Sequence, residues 1–414
     1  MRRLTTSALL LTILAWVPLW PAATDPQAVT AAAPDIDAYL GAQVAPQRIP
    51  GLVAMVVDSK RVLYANAFGQ AQVGTHLPMR PDHIFRIASM TKPVTSLAAM
   101  MLVESGKLGL DEPVAKYLPE FAKRQVLASF DEATGKYTTR APVRPMTVRH
   151  LLTHTSGLGY PFASPVLAKL ANGTNDPPDG YPLLHDPGAR FSYSESTRVL
   201  GRVVEKVAGQ PLDVFLRERI FEPLAMKDTS FATSAADAAR VVTIHRRVDG
   251  ALQEQPNAPG PISSPVQGDG GLNSTAADYA KFMQLFLNRG VTQSGQRIVK
   301  AATIAQMMRN PEGRVLVEKQ PAALPAVTEP FPLGAGVDRF GLGFQITGRP
   351  GVPGLRHAGS LSWAGIFNTE FWIDPDAGVA AVLLMQYLPF YDAAAIDALQ
   401  GFERRVYMAL EYEP

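Results

Sequence analysis

The chain of 414 residues contains no cysteine. That absence excludes thiol nucleophiles, Cys-ligated zinc, iron–sulfur clusters, disulfide scaffolds and a lipid anchor on an N-terminal cysteine. Net charge is also scarce, with 39 Lys and Arg against 37 Asp and Glu, so an extended nucleic-acid surface is not expected. Charged residues make up 18% and hydrophobic residues 47%, a globular composition and not a disordered one. There is no repeat at solenoid periods. No Gly-x-Ser-x-Gly occurs, which excludes the strained strand-to-helix serine turn built on that motif. His150 and His154 are four apart, but no His-Glu-x-x-His is present, so neither a metal nor another cofactor is expected.

What is present begins with a candidate export signal. Arg2 and Arg3 precede the apolar run Leu4–Trp20, and Pro21-Ala22-Ala23 follows. A basic start, an apolar middle and a small-residue exit form the layout of a secretory signal. The run carries Thr5, Thr6, Ser7 and Pro18 and is a poor stable membrane span. Residues 1–23 are therefore expected to be removed, leaving residues 24–414 in the periplasm or secreted, with no membrane attachment. Losing Arg2 and Arg3 takes the 39 basic residues to 37, equal to the acidic count.

Along the remaining chain the pattern alternates between strand and helix signals. Apolar helical spacing covers Asp35–Ala45, and β-rich runs at 51–57 and 62–68 flank Asp58-Ser59-Lys60 as a hairpin. A long helix is predicted from Ser89 to Glu104, with Gly106 past its end. A hairpin is predicted around 131–135 and a helix start at Thr147–Thr153. Further helices are predicted at 196–207, 212–221 and 275–287, with long loops at 163–187 and 313–338. Strands are predicted at 341–346, 355–358, 365–373 and 379–386, with Asp374–Gly378 as a tight turn, and a final helix at 393–411. Two strand groups flanking a helical block imply one sheet built from both ends of the chain.

The first chemical candidate is Ser89-Met90-Thr91-Lys92. Residues three apart on a helix share a face, so the Lys92 amine reaches the Ser89 hydroxyl. A serine hydroxyl needs a base to become a nucleophile, and a suitably placed lysine supplies one. The first turn of a helix also leaves backbone N–H groups unpaired, which can stabilise an oxyanion.

Several further segments follow in order: Leu151-Leu-Thr-His-Thr-Ser-Gly-Leu158, Phe191-Ser-Tyr-Ser-Glu195, Gly270-Gly-Leu-Asn-Ser-Thr-Ala-Ala-Asp278 and His357-Ala-Gly-Ser360. Together with Ser89-x-x-Lys92, this series resembles the serine β-lactamase and penicillin-binding-protein superfamily. The nearest resemblance is to class C β-lactamases and family VIII carboxylesterases, from about residue 35 to the C-terminus. It implies an α/β (α+β) β-lactamase/transpeptidase-like fold with an antiparallel sheet flanked by helices. The sheet lobe would comprise about 35–81 and 301–414, and a mostly helical lobe about 82–300.

The resemblance also implies site residues. Ser89 would be the nucleophile, with Lys92 and Tyr193 handling its proton. The backbone N–H groups of Ser89 and Ser360 would form the oxyanion hole, and Gly359 would let substrate approach the strand. Two positions depart from the family pattern: Glu195 stands where the second motif usually has Asn, and His357 where the third usually has Lys. The family lysine helps hold a penicillin carboxylate, so both departures favour neutral esters or amides. Tyr160, Phe162 and Trp363 are expected as an apolar wall. The expected activity is thus a serine hydrolase of the carboxylesterase type acting on a small-molecule ester or amide. The alternatives are a β-lactamase or D,D-peptidase, and a non-catalytic binding protein of the same fold. Substrate identity and oligomeric state are not readable from the sequence.

Overall fold

The structure, a computed structural model, describes residues 26–45, 47–171, 180–255, 266–309, 313–349 and 354–411. The expected export signal lies outside the described residues. Among them, no helix is long and apolar enough to cross a membrane.

The elements that position the site are helix α1 (Ala33–Gln43), strands β1 (Gly51–Asp58), β2 (Val62–Gln72) and β3 (Leu77–Pro78), and helices α2 (Thr91–Glu104), α3 (Ser196–Ala208) and α4 (Ala276–Leu287). Then come β4 (Arg339–Phe340), β5 (Gln345–Ile346), β6 (Leu361–Gly365), β7 (Thr369–Asp374), β8 (Val379–Leu384) and helix α5 (Ala393–Glu411). The eight strands form one sheet in the order β4-β5-β6-β7-β8-β1-β2-β3, antiparallel throughout. The first and last thirds of the chain thus meet at the β1–β8 pair, where Val53 lies opposite Leu384 and Met55 opposite Val382.

Side chains alternate across the pleat, and this sheet is covered on both faces. Leu52, Ala54, Val56, Trp372, Ala381 and Leu383 pack with Ile36 and Leu40 of α1 and Phe402 and Val406 of α5. On the other face, Val53, Met55, Phe371, Val382 and Leu384 join the core that contains Phe282 and Phe286 of α4 and most of α2. Two covered faces explain why β1 and β8 read as continuous apolar runs and not as alternating ones.

The structure corrects the C-terminal strands. The stretch 341–346 is not one strand: Gly341 N–H bonds Phe344 O at 2.7 Å, closing a turn between β4 and β5. No strand covers 355–358. There the buried Asp374 carboxylate accepts from His357 N–H at 2.9 Å and lies 2.8 Å from its Nδ1, and the chain enters β6 only at Leu361. The expected strand 365–373 is broken by a turn at 366–368, where the buried Asn368 amide donates to Tyr387 O and Pro389 O. The loop expected at 163–187 contains the helix Pro165–Ala171, and a helix at Ala301–Met307 was not anticipated. Residues 313–338 hold only isolated bridges.

Candidate active site

Ser89 lies in a single turn of 3₁₀ helix, Ala88–Met90, that leads directly into α2. Ala88 has φ +43°, a left-handed conformation that L-residues other than glycine rarely adopt. Such a local cost, of order 1–3 kcal/mol, is held by surrounding structure and commonly marks functional positions. Lys92 sits one turn later, almost wholly buried, with Nζ 3.0 Å from Ser89 Oγ. Its other contacts are the Asp269 carbonyl at 2.7 Å and Tyr160 Oη at 3.2 Å. Three oxygen atoms thus surround the Lys92 amine.

Tyr193 completes the group, with Oη 2.6 Å from Ser89 Oγ. The ring lies 4.8 Å beneath Lys92 Nζ and packs against Trp363, Phe331 and His154. Its segment is locked by the other loop motif. Ser192 N–H bonds His154 O at 2.9 Å, and Ser194 Oγ lies 3.2 Å from His154 Nδ1. Burial, aided by the Lys92 charge, pushes the His154 imidazole well below its ordinary range, so it serves as a neutral strut. His150, its neighbour four residues back, accepts from Thr147 N–H in a helix cap.

Tyr160 is more than the apolar wall expected of it. Its hydroxyl contacts the Asp269 carboxylate as well as Lys92. Burial first, then the Asp269 charge, raises this phenol well above its usual range. It therefore remains a hydroxyl, donating to Asp269 and accepting from Lys92. Asp269 is also paired with Arg198, and Arg198 with Glu195, each at 3.2 Å. The Glu195 carboxylate, which stands where the second motif usually has Asn, pairs with Arg198 and does not bond Lys92. Lys92 bonds instead the backbone carbonyl of Asp269, 177 residues away in the chain, a partner that no local sequence pattern links to it.

The third motif is also corrected. His357 faces Asp374 and the ring of Tyr407 on α5. The Ser360 N–H bonds His357 O at 3.2 Å, so it is not free to hold an oxyanion. Gly359 has φ +89°, and a Cβ there would meet nothing within 4 Å. Its glycine is required by backbone conformation and not by close approach. The strand end beside Ser89 is instead Trp363-Ala364-Gly365. Trp363, Ala364 and Ile366 line one narrow pocket with Ser89, Phe162, Tyr193 and Phe390. A Cβ on Gly365 would lie 2.4 Å from Ile87 O and 2.3 Å from Thr369 Oγ1. This is the close-approach glycine of the site. The Ile366 N–H that follows it has no partner among the described residues.

The spacing between this strand end and the serine turn gives a prediction. Gly365→Ala should force β6 away from residues 87–89 and lower kcat/KM by about 100-fold, because a displacement near 1 Å at reacting groups costs about that much. The measurement is steady-state kinetics together with a melting curve. Activity within threefold of wild type would show that the strand end is not part of the site.

Comparison with known proteins places this geometry in context. A family model described as Beta-lactamase matches residues 36–403. Protein Rv1367c of Mycobacterium tuberculosis is 34% identical over 398 residues, covering 87% of this chain and 95% of that protein. The lovastatin esterase of Penicillium rubens is 30% identical over 408 residues, covering 90% and 98%. Among solved structures, a mutant simvastatin synthase, LovD, from Aspergillus terreus superposes with a TM-score of 0.79 at 29% identity, covering 93% of this chain and 97% of that one.

Proposed function

This chain belongs to the Beta-lactamase family, and on that premise we propose that it is a carboxylesterase working through an acyl-enzyme on Ser89. The observation that carries this reading is the double contact on Ser89 Oγ, by Lys92 Nζ at 3.0 Å and Tyr193 Oη at 2.6 Å. The chain is a serine hydrolase of that superfamily, and its curated relatives include an esterase. The mutual positions of nucleophile, base and orienting groups satisfy the geometric requirements of such a site.

In this mechanism Ser89 Oγ attacks the ester carbonyl, and its proton passes to the member of the Lys92–Tyr193 pair that is deprotonated when attack occurs. The carbonyl oxygen becomes an oxyanion held by the N–H groups of Ser89 and Ile366. Collapse of the tetrahedral species breaks the C–O bond, and Tyr193 returns the proton to the departing alcohol. Water then attacks the acyl-enzyme, giving its proton to the same pair, and the acid leaves with Ser89 restored. Tyr160, Asp269 and Arg198 act as positioning residues that keep Lys92 oriented.

The lining favours esters over β-lactams. Phe162, Trp363, Ala364, Ile366 and Phe390 surround Ser89, and none of them is a cation that would hold a penicillin carboxylate. The departure at His357 no longer supports that preference, because His357 is directed to Asp374. The test compares p-nitrophenyl butyrate with a chromogenic cephalosporin on the purified protein. The expected result is an ester kcat/KM at least about 100-fold higher, equal to about 2.7 kcal/mol in transition-state binding. Faster cephalosporin turnover would replace this reading with a β-lactamase one.

Similarity to a synthase favours a second fate for the same intermediate. An alcohol in place of water would take the acyl group, giving a new ester. Product analysis with and without added alcohol separates the two outcomes.

A further inference from the structure

A second cavity of about 260 Å³ adjoins the Ser89 pocket and shares Trp363, Ala364 and Phe390 with it. Unlike the apolar pocket at the serine, it is lined by charged groups: Asp338, Arg349, Arg356, Glu370 and Glu403. Most of these are already satisfied. The Arg356 guanidinium is bidentate on Glu403 at 2.7 Å for both contacts. Asp338 accepts from Gln345 Nε2 at 2.6 Å and from Gly348 N–H at 3.0 Å. Arg349 is exposed.

Glu370 is the exception. It stands on β7 opposite Ala364 of β6, is only 7% exposed, and its carboxyl has no hydrogen-bond partner among the described residues. Burial of an unpaired carboxylate is costly, and here it pushes the Glu370 carboxyl up to about 8. A structural ion pair would have removed that cost. The acid instead faces a cavity that opens beside the scissile-bond site, flanked by Trp363, Phe390 and Tyr391. Aromatic faces and an unmatched carboxyl, which a bound cation ionises with release of its proton, are the two features that bind an organic ammonium.

We propose that this cavity is a substrate subsite that selects an organic ammonium group, held by Glu370 and the surrounding rings, on the part of the substrate remote from the scissile carbonyl. The inference rests on the esterase reading of Ser89 for its place in turnover, and on the cavity alone for binding. The ammonium N–H groups donate to Glu370, and the alkyl stem crosses the apolar throat at Trp363 and Phe390. Two guanidiniums, Arg349 and Arg356, also line the cavity, but Arg356 is taken up by Glu403, which leaves the Glu370 carboxyl as the unmatched buried group that an anionic substrate would meet.

The test uses three probes of equal length as competitive inhibitors of p-nitrophenyl butyrate turnover: n-pentylammonium, n-pentanol and pentanoate. In the wild type, pentylammonium is expected to inhibit with a Ki about tenfold or more below that of pentanol, with pentanoate weakest. Glu370→Gln should bring the ammonium and alcohol values within about threefold of each other. Equal wild-type values, or tighter binding of pentanoate, would overturn the proposal without any variant being needed. If the wild type turned over no ester, the Ser89 reading would fall. Calorimetric titration with the same three probes would then decide the cavity proposal by the same ranking.

Discussion

Ser89→Ala is expected to reduce ester kcat/KM by about 10⁴-fold or more, a loss of at least about 5.4 kcal/mol of transition-state stabilisation. The size follows from what the residue does: without Oγ there is no acyl-enzyme, and only binding and the two backbone donors remain. The fold should survive. Lys92 keeps the Asp269 carbonyl and Tyr160 as acceptors, and one unpaired contact at Tyr193 costs about 1–3 kcal/mol. The decisive measurement is mass spectrometry of the protein after brief exposure to a p-nitrophenyl ester or a fluorophosphonate. Wild type should gain one acyl or phosphonyl mass, and Ser89→Ala none. Labelling of the alanine variant at another residue would move the nucleophile elsewhere.

Tyr193→Phe should lower kcat by about 10³-fold while leaving KM within a few-fold. Proton transfer by a positioned side chain typically contributes 10²–10⁴. Phenylalanine retains the ring that packs on Trp363, Phe331 and His154, so shape and substrate binding persist while the oxygen 2.6 Å from Ser89 is lost. A merely structural tyrosine would behave differently, with lowered thermal stability and little change in kcat. Near-normal kcat would assign the whole proton task to Lys92.

Both predictions draw on features that differ in how visible they were. Ser89 and Lys92 were legible because helical spacing alone places them together. Tyr193 was legible only through a motif, since 104 residues separate it from Ser89. The third motif shows where such reading reaches its limit. His357-Ala-Gly-Ser360 and Trp363-Ala-Gly-Ile366 have the same local form, a large residue followed by Ala-Gly, six residues apart. Nothing in either tetrapeptide distinguishes the strand end beside the serine from a turn on its approach. The distinction is made by Asp374, which captures His357, and by Ile87 O, which leaves room only for a glycine at 365.

The sequence by itself determined the fold class, the sheet drawn from both chain ends, and the serine, lysine and tyrosine of the candidate site. The two-ended sheet rests on hydrophobic period and the Ser89–Lys92 pair on helical spacing, whereas the fold class and Tyr193 rest on the resemblance of the ordered motifs to the β-lactamase superfamily. The tertiary structure alone decided which Ala-Gly faces the serine, that Asp269 and Tyr160 are the other partners of Lys92, and that Glu370 is left unpaired beside the site. These depend on hydrogen bonding and burial between segments far apart in the chain. The partner of a buried polar group is chosen by the packed fold, because only there does an unpaired donor, acceptor or charge become costly.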